Sequence, residues 1–266
     1  MAFNKTLFLT RLKKVMIITM WISLITSLCF SMAFVNKMEG NIKCTAINVH
    51  ITSDAPAGFV DREMVLKSVM PGGNESKILG SKIEELDVSK IENKLLRNPM
   101  IKWAEVYTDM NGKLDIHIKQ RRPILRILNA FGESYYIDED GLKMPLSPDF
   151  TAQVPVASGY IFEHNTGKDS MQSFIGKELF KIATYVDKDT FWNAQIEQIF
   201  VTAENEFNLY PSIGDQVILF GNSTDIEDKF ARLFLFYKEA MTRIGWSTYS
   251  SISVEYKNQI VGKRKN

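Results

Sequence analysis

Asp138, Glu139 and Asp140 stand in a row before Gly141, an arrangement of carboxylates that can open a calcium loop. Such a loop needs a further acid about six residues beyond its glycine. Leu146-Ser147-Pro148 fills that stretch, so a solvated hairpin turn is the better reading. The three histidines, His50, His117 and His164, have no second His, Cys or paired acid at metal-ligand spacing, so there is no zinc signature. Ser158 sits in no G-x-S-x-G elbow, and no S-x-x-K occurs. Gly72-Gly73 reads as a helix stop rather than a phosphate loop. A carboxylate pair for glycoside hydrolysis is set by distance in space, and nothing singles one out. No catalytic residue, metal ligand or cofactor site is therefore assigned. Asn74-Glu75-Ser76 and Asn222-Ser223-Thr224 fit a glycosylation pattern that is common by chance.

The stretch with the clearest chemistry is the last one. Ile252, Val254 and Tyr256 alternate with Ser253, Glu255 and Lys257, and Ile260-Val261 follows just before the end. That pattern is a terminal strand with no successor, and a sheet edge offers a row of unpaired N–H and C=O groups. By pattern alone it reads as the last core strand with a solvated basic tail, the alternative being an open edge over Gln259–Lys263 with Lys257-Asn258 as its turn.

The elements that position this stretch follow from periodicity. Ile42–Ile51 reads as a strand, and "TSDAPAG" as a turn. Asp61 caps a helix over Arg62–Met70, with Val60 before the cap able to staple onto Val65. Pro71-Gly72-Gly73 stops it. Ser89 and Glu92 have capping-box spacing for a second helix, with Ile91, Leu95 and Leu96 on its apolar face, ended by Asn98-Pro99. Strands flank the Asn111-Gly112 hairpin signal, and Leu114, Ile116 and Ile118 point to the core. Strand–helix–helix–strand–strand is the order of a POTRA domain. Beyond it, short strands are expected at Ile124–Leu128, Ser134–Ile137, Leu142–Leu146 and in "QVPVASG". A helix is expected over Ser170–Val186, then a meander of Ile196–Val201, Glu206–Tyr210 and Val217–Phe220. A last helix starts near Thr224, its stripe made by Ile226, Phe230, Leu233, Phe234, Tyr237, Met241 and Ile244.

Composition is that of a globular protein, with 45% hydrophobic and 24% charged residues. A net charge of +1 argues against nucleic-acid binding. Residues 1–35 carry Lys5, Arg11, Lys13 and Lys14 and no acid. Val15–Val35 is 21 residues without a charge. As a helix it spans roughly 31 Å, a bilayer core. The basic residues before it place the N-terminus in the cytoplasm. It is longer than the roughly 7–15 apolar residues of a signal peptide, so an uncleaved anchor is expected despite the small residues of Ser31-Met32-Ala33. Cys29 falls in this span and Cys44 in a strand, so no disulfide framework is expected.

The layout resembles the FtsQ/DivIB family of bacterial cell-division proteins. "IKQRRPILRIL" is similar to the family's junction between two domains, with Pro123 as the matching proline; Arg121-Arg122 departs from the Glu often found there. "YYIDEDGLKMPL" resembles the family's aromatic–aliphatic–Asp–Gly pattern through Asp138 and Gly141. "VEYKNQIVGK" resembles its C-terminal strand pair, with Tyr256 at the family's tyrosine. The resemblance implies an α+β chain: a cytoplasmic tail (1–14), one transmembrane helix (15–35), a POTRA domain (42–122) and a second β-rich domain with packed helices (123–266). It implies a non-catalytic divisome scaffold with no cofactor, no metal and no small-molecule ligand, in the inner membrane at the septum. Its partners would be FtsB/DivIC-like and FtsL-like proteins. The partner-binding residues would be Tyr256, Asn258, Gln259, Ile260, Val261, Gly262 and Lys263, with Pro123 between the domains. Lys263, Arg264 and Lys265 would attract an acidic partner. The alternatives are an exported cell-wall hydrolase, which needs two acids facing each other across a cleft, and a POTRA-bearing transport component.

Overall fold

The computed structural model describes residues 5–39, 42–52, 58–70, 78–165 and 169–265. The expected turn around 53–57, the Pro71-Gly72-Gly73 stop and the Asn74 pattern lie outside the described residues.

Helix α1 runs over Lys5–Glu39, past the end of the uncharged stretch at Val35. Its described side chains, at 14 and over 16–32, are exposed, Trp21 and Phe30 among them. Thr19, Thr26 and Ser31 donate their hydroxyls to the carbonyls of Met16, Ser23 and Ser27, so these polar groups are satisfied inside the helix. Among the described residues, no helix is long and apolar enough to cross a membrane.

Next come β1 (Ala46–Thr52), α2 (Arg62–Val69), α3 (Val88–Leu96), β2 (Ile101–Thr108) and β3 (Lys113–Gln120), with the strands in the order β1-β3-β2. Asp61 caps α2 by accepting the Met64 N–H at 2.6 Å. The cap of α3 differs from expectation. Asp87, not Ser89, accepts the Lys90 N–H at 3.0 Å, because the helix already begins at Val88. Glu92 is thereby released from capping, and its carboxylate accepts the Val106 N–H at 2.9 Å. Leu114, Ile116 and Ile118 are buried as their alternation requires. At the hairpin, Asp109 accepts the N–H groups of Asn111 and Lys113, and Gly112 takes φ +84°. A Cβ on Gly112 would lie 2.3 Å from the Lys43 carbonyl oxygen. Gly112→Ala is expected to cost about 1–3 kcal/mol in urea denaturation, through left-handed strain plus that clash.

The chain packs as two compact units. One holds Met1–His50, Val65–Lys94 and Glu105–His117; the other holds Ile51–Met64, Leu95–Ala104 and Ile118–Asn266. The second is built on a nine-stranded sheet. Its strands are β4 (Pro123–Leu128), β5 (Ser134–Asp138), β6 (Lys143–Met144), β7 (Val156–Gly159), β8 (Ile196–Val201), β9 (Phe207–Pro211), β10 (Val217–Gly221), β11 (Tyr249–Ser253) and β12 (Val261–Arg264). They lie in the order β12-β11-β10-β9-β8-β7-β4-β5-β6. Two of the parallel joins, β7 with β8 and β10 with β11, connect consecutive strands and need long crossovers. Helices α4 (Phe174–Lys188) and α5 (Thr190–Gln195) supply the first, and α6 (Ile226–Phe236) with the turns that follow it supplies the second. Leu179, Ile182, Val186, Trp192, Phe230 and Leu233 from these helices share one core with Ile199, Leu209, Ile218 and Ile252 of the sheet.

Three details depart from the sequence reading. Helix α4 starts at Phe174 rather than near 170, because the Ser173 hydroxyl caps it by accepting the Gly176 N–H at 2.9 Å. Helix α5 was not expected; Asp189 caps it through the amides of Phe191 and Trp192. After α6 the backbone widens into a π turn over Tyr237–Met241, which rotates the following residues relative to an α-helix. Tyr237 and Met241 stay buried, while Ile244 and the rim residue Phe234 are exposed.

Candidate functional site

The nine-stranded sheet has two edges, and they are finished differently. At one, β6 has two residues, both buried, and the Lys143 N–H donates to the Asp169 carbonyl at 2.9 Å. Leu142 also bridges to Ser170, so chain covers this edge. At the other, all four residues of β12 are exposed. β12 pairs antiparallel with β11, matching Ser251 to Lys263, Ile252 to Gly262 and Ser253 to Val261. The Lys265 N–H donates to the Thr248 carbonyl at 3.0 Å, and the Lys263 carbonyl accepts the Ser250 hydroxyl at 3.1 Å. Residues 261, 263 and 265 thus turn their backbone polar groups toward β11. By the alternation of a strand, Gly262 and Arg264 turn theirs away from it.

The residues singled out from sequence fall into three places. Val261, Gly262 and Lys263 are on β12. Asn258 is in the turn, in the left-handed region at φ +62°, beside Lys257. Tyr256, Gln259 and Ile260 are in the connection: Tyr256 is exposed, and Ile260 packs partly buried against the core. The strand is therefore Val261–Arg264, not Gln259–Lys263, and β11 ends at Ser253 rather than reaching Tyr256. The Gln259 carbonyl is already taken by a side chain, and Ile260 packs against the core, so the ladder starts at Val261, two residues later than expected. A Cβ on Gly262 would lie 2.6 Å from the Tyr249 ring, so only glycine lets that ring cover the strand. Lys265 is not a free charge, since its ammonium pairs with Asp215 at 2.8 Å. Lys263 and Arg264 remain as the exposed basic residues of the edge.

Arg232, on α6, was not foreseen. Its guanidinium donates to three carbonyls of the β11–β12 connection: Val254 at 3.1 Å, Tyr256 at 2.8 Å and Gln259 at 2.5 Å. Its Nε is held by Asp228 at 2.9 Å. The i,i+4 pair Asp228–Arg232 was visible in the sequence. The three carbonyls were not, because they lie more than 20 residues away.

The "IDEDG" stretch is the expected hairpin turn, joining β5 to β6 with Asp140 exposed, but Asp138 is not solvated. Asp138 is fully buried; it accepts Arg121 at 2.6 Å and the amides of Asp140 and Leu142. Lys102 pairs with Glu139 and Asp140, each at 2.7 Å. Arg122 donates to both oxygens of Asp187 and to Glu139. The Lys102 hydrogen bond, followed by that of Arg122, outweighs burial and holds the Glu139 carboxyl below its usual range. These acids are spent on neighbouring cations rather than left open to a metal ion. Among the described residues, no group of three or more His, Cys, Asp or Glu could hold one. Pro123 opens β4 opposite Asp138 and lines a cleft of about 450 Å³ with Phe59, Arg122, Phe150 and Asp187. Asp187 is the one acid among its lining residues, and it is ion-paired. Asn222 of the second glycosylation pattern is engaged, accepting Thr224 and Lys229.

A family model described as FtsQ/DivIB, C-terminal related, matches residues 122–263. The chain belongs to the FtsQ/DivIB family. A POTRA-like domain matches residues 42–119. Two relatives extend the likeness beyond the C-terminal region. The cell division protein FtsQ of Rhodothermus marinus is 26% identical over 186 residues, covering 68% of this chain and 67% of its own. The cell division protein DivIB of Clostridium tetani is 25% identical over 217 residues, covering 80% of this chain and 74% of its own. Val261, Gly262 and Lys263 of the open β12 edge fall at the end of the FtsQ/DivIB-matched region, and Arg264 lies one residue beyond it.

Proposed function

We propose that this FtsQ/DivIB-family chain is a non-catalytic scaffold of the division septum that takes a strand of an FtsB/DivIC-like partner onto β12, with an FtsL-like protein in the same assembly. The observation that carries the reading is the contrast between the two sheet edges, one closed by its own chain and one with every residue exposed. In strand addition, main-chain hydrogen bonds give affinity and alternate side chains give specificity. Gly262 and Arg264 supply the outward backbone groups. Val261 and Lys263 supply an apolar and a basic contact on one face, which suits an acidic, partly apolar partner strand. In this reading α1 anchors the chain through Val15–Val35 with the N-terminus in the cytoplasm, and the POTRA domain (42–122) gives way along the sequence to the second domain (123–266) at Pro123. A hydrolase is disfavoured because the cleft at Pro123 offers one ion-paired acid where two facing carboxylates are needed.

The test is a titration of the full chain in detergent micelles with the exported segment of the FtsB/DivIC-like protein of the same organism. Arg264→Pro removes an outward N–H and sets a ring against an incoming strand, while leaving the β11 ladder its donors. It is expected to weaken binding about tenfold or more, one outward hydrogen bond plus a steric block. Wild-type affinity in the Arg264→Pro chain would move the interface off this edge.

A further inference from the structure

The β12 edge has little of its own to hold it. It is a four-residue strand, exposed throughout, with one neighbour. Strands of this kind open at low free energy. What fixes it is largely outside it. The connection from Ser253 to Val261 bends back through a left-handed Asn258, and its carbonyls at 254, 256 and 259 converge on one guanidinium. The Arg232 side chain is only 15% exposed, and Asp228 fixes its orientation. Charge-assisted hydrogen bonds are the strong ones, and a planar fork loses little freedom in making several at once. None of the three carbonyls belongs to a residue of β12, so Arg232 grips the connection that leads into the edge and leaves the strand's outward groups untouched.

We propose that Arg232 is the positioning residue of the docking edge: it clasps the β11–β12 connection so that β12 is held ready for an incoming strand. The consequence for binding rests on the docking reading above; the clasp itself does not. A binding surface populated only part of the time lowers apparent affinity by the populated fraction. Losing the clasp therefore slows association and leaves dissociation of the docked strand nearly unchanged.

The experiment uses the full chain in micelles and two readouts, residue-resolved amide exchange without partner and binding kinetics with the exported FtsB/DivIC-like segment. Arg232→Ala is expected to raise exchange at the inward amides of Val261, Lys263 and Lys265, with the rest of the nine-stranded sheet unchanged. Its association rate is expected to fall about tenfold, with dissociation changed less than about twofold. Arg232→Lys, which keeps the charge but loses the fork, and Asp228→Asn, which loosens the fork, are expected to fall between wild type and Arg232→Ala. Wild-type exchange at Val261 and Lys263 in Arg232→Ala would overturn the clasp. A loss of protection across the whole sheet in Arg232→Ala, with wild-type behaviour in the two milder variants, would also overturn it. If the wild-type chain fails to bind the partner segment, the docking reading falls, and the exchange result alone decides the clasp.

Discussion

Ending the chain after Tyr256 is expected to remove binding of the partner strand while the rest of the sheet stays folded. The deletion takes away β12 with the outward N–H and C=O groups of Gly262 and Arg264. Four backbone hydrogen bonds at a net 0.5–1.5 kcal/mol each amount to roughly 2–6 kcal/mol. That is a loss of about thirtyfold at the low end and no detectable binding at the high end. The remaining sheet survives because its core side chains from this end, Ile252 and Val254, precede the cut and are fully buried. The cost of the cut is the β11–β12 ladder, the exposed Lys265–Asp215 pair, the partial burial of Ile260 and the clasp on Gln259. Calorimetric titration with the partner segment reads the first effect, and circular dichroism reads the second. Binding at wild-type strength would place the interface elsewhere on the chain.

Glu163→Ala is expected to be the most destabilising single substitution described here, at about 3–5 kcal/mol in urea denaturation. Glu163 and Lys143 form a buried ion pair at 2.8 Å, with side chains 7% and 3% exposed. Glu163 also accepts the Ser173 hydroxyl and the amides of Gln172 and Ser173, just before α4. Alanine leaves Lys143 with the His164 carbonyl and no counter-charge, and leaves two amides without their acceptor. The same site sets a pH dependence. Burial pushes the Glu163 carboxyl up, but Lys143, the Ser173 hydroxyl and the two amides together hold it below its ordinary value of 4.5. A carboxylate lowered in the folded state stabilises fully above its unfolded pKa, and the contribution fades as pH falls through the folded pKa. Wild-type stability should therefore drop as pH falls below about 4.5. The Glu163→Ala chain should show a flatter profile there. Parallel profiles in unfolding titrations would show that Glu163 makes no charge-dependent contribution.

The parts of the fold legible in the sequence are those decided by local pattern. The meander at β8, β9 and β10 lies within about a residue of its expected bounds, because alternating Ile, Phe, Leu and Val residues are cut by short polar turns. The hairpin at Asn111-Gly112 is where its turn chemistry requires. What stayed hidden is decided by partners distant in sequence. Glu92 looked like half of a capping box, yet its carboxylate serves the Val106 amide 14 residues on. Asp138 looked solvated because acids usually are, and the approach of Arg121, together with the Asp140 and Leu142 amides, is what sustains its burial. The π turn after α6 leaves no signature in the apolar spacing, so Ile244 was assigned to a stripe that turns away before reaching it. For the docking edge, the alternation located the strand and the turn. Its first residue was off by two, because the Gln259 carbonyl is claimed by Arg232 from another element.

In the proposed docking, β12 receives a partner strand through its outward backbone groups. Residue-resolved amide exchange of the full chain, with and without the exported FtsB/DivIC-like segment, tests it most directly. The Gly262 and Arg264 amides are expected to exchange freely alone and become protected on binding, while Val261 and Lys263, already turned to β11, change little. Saturable binding with Gly262 and Arg264 still exchanging as in the free chain would contradict strand addition at this edge.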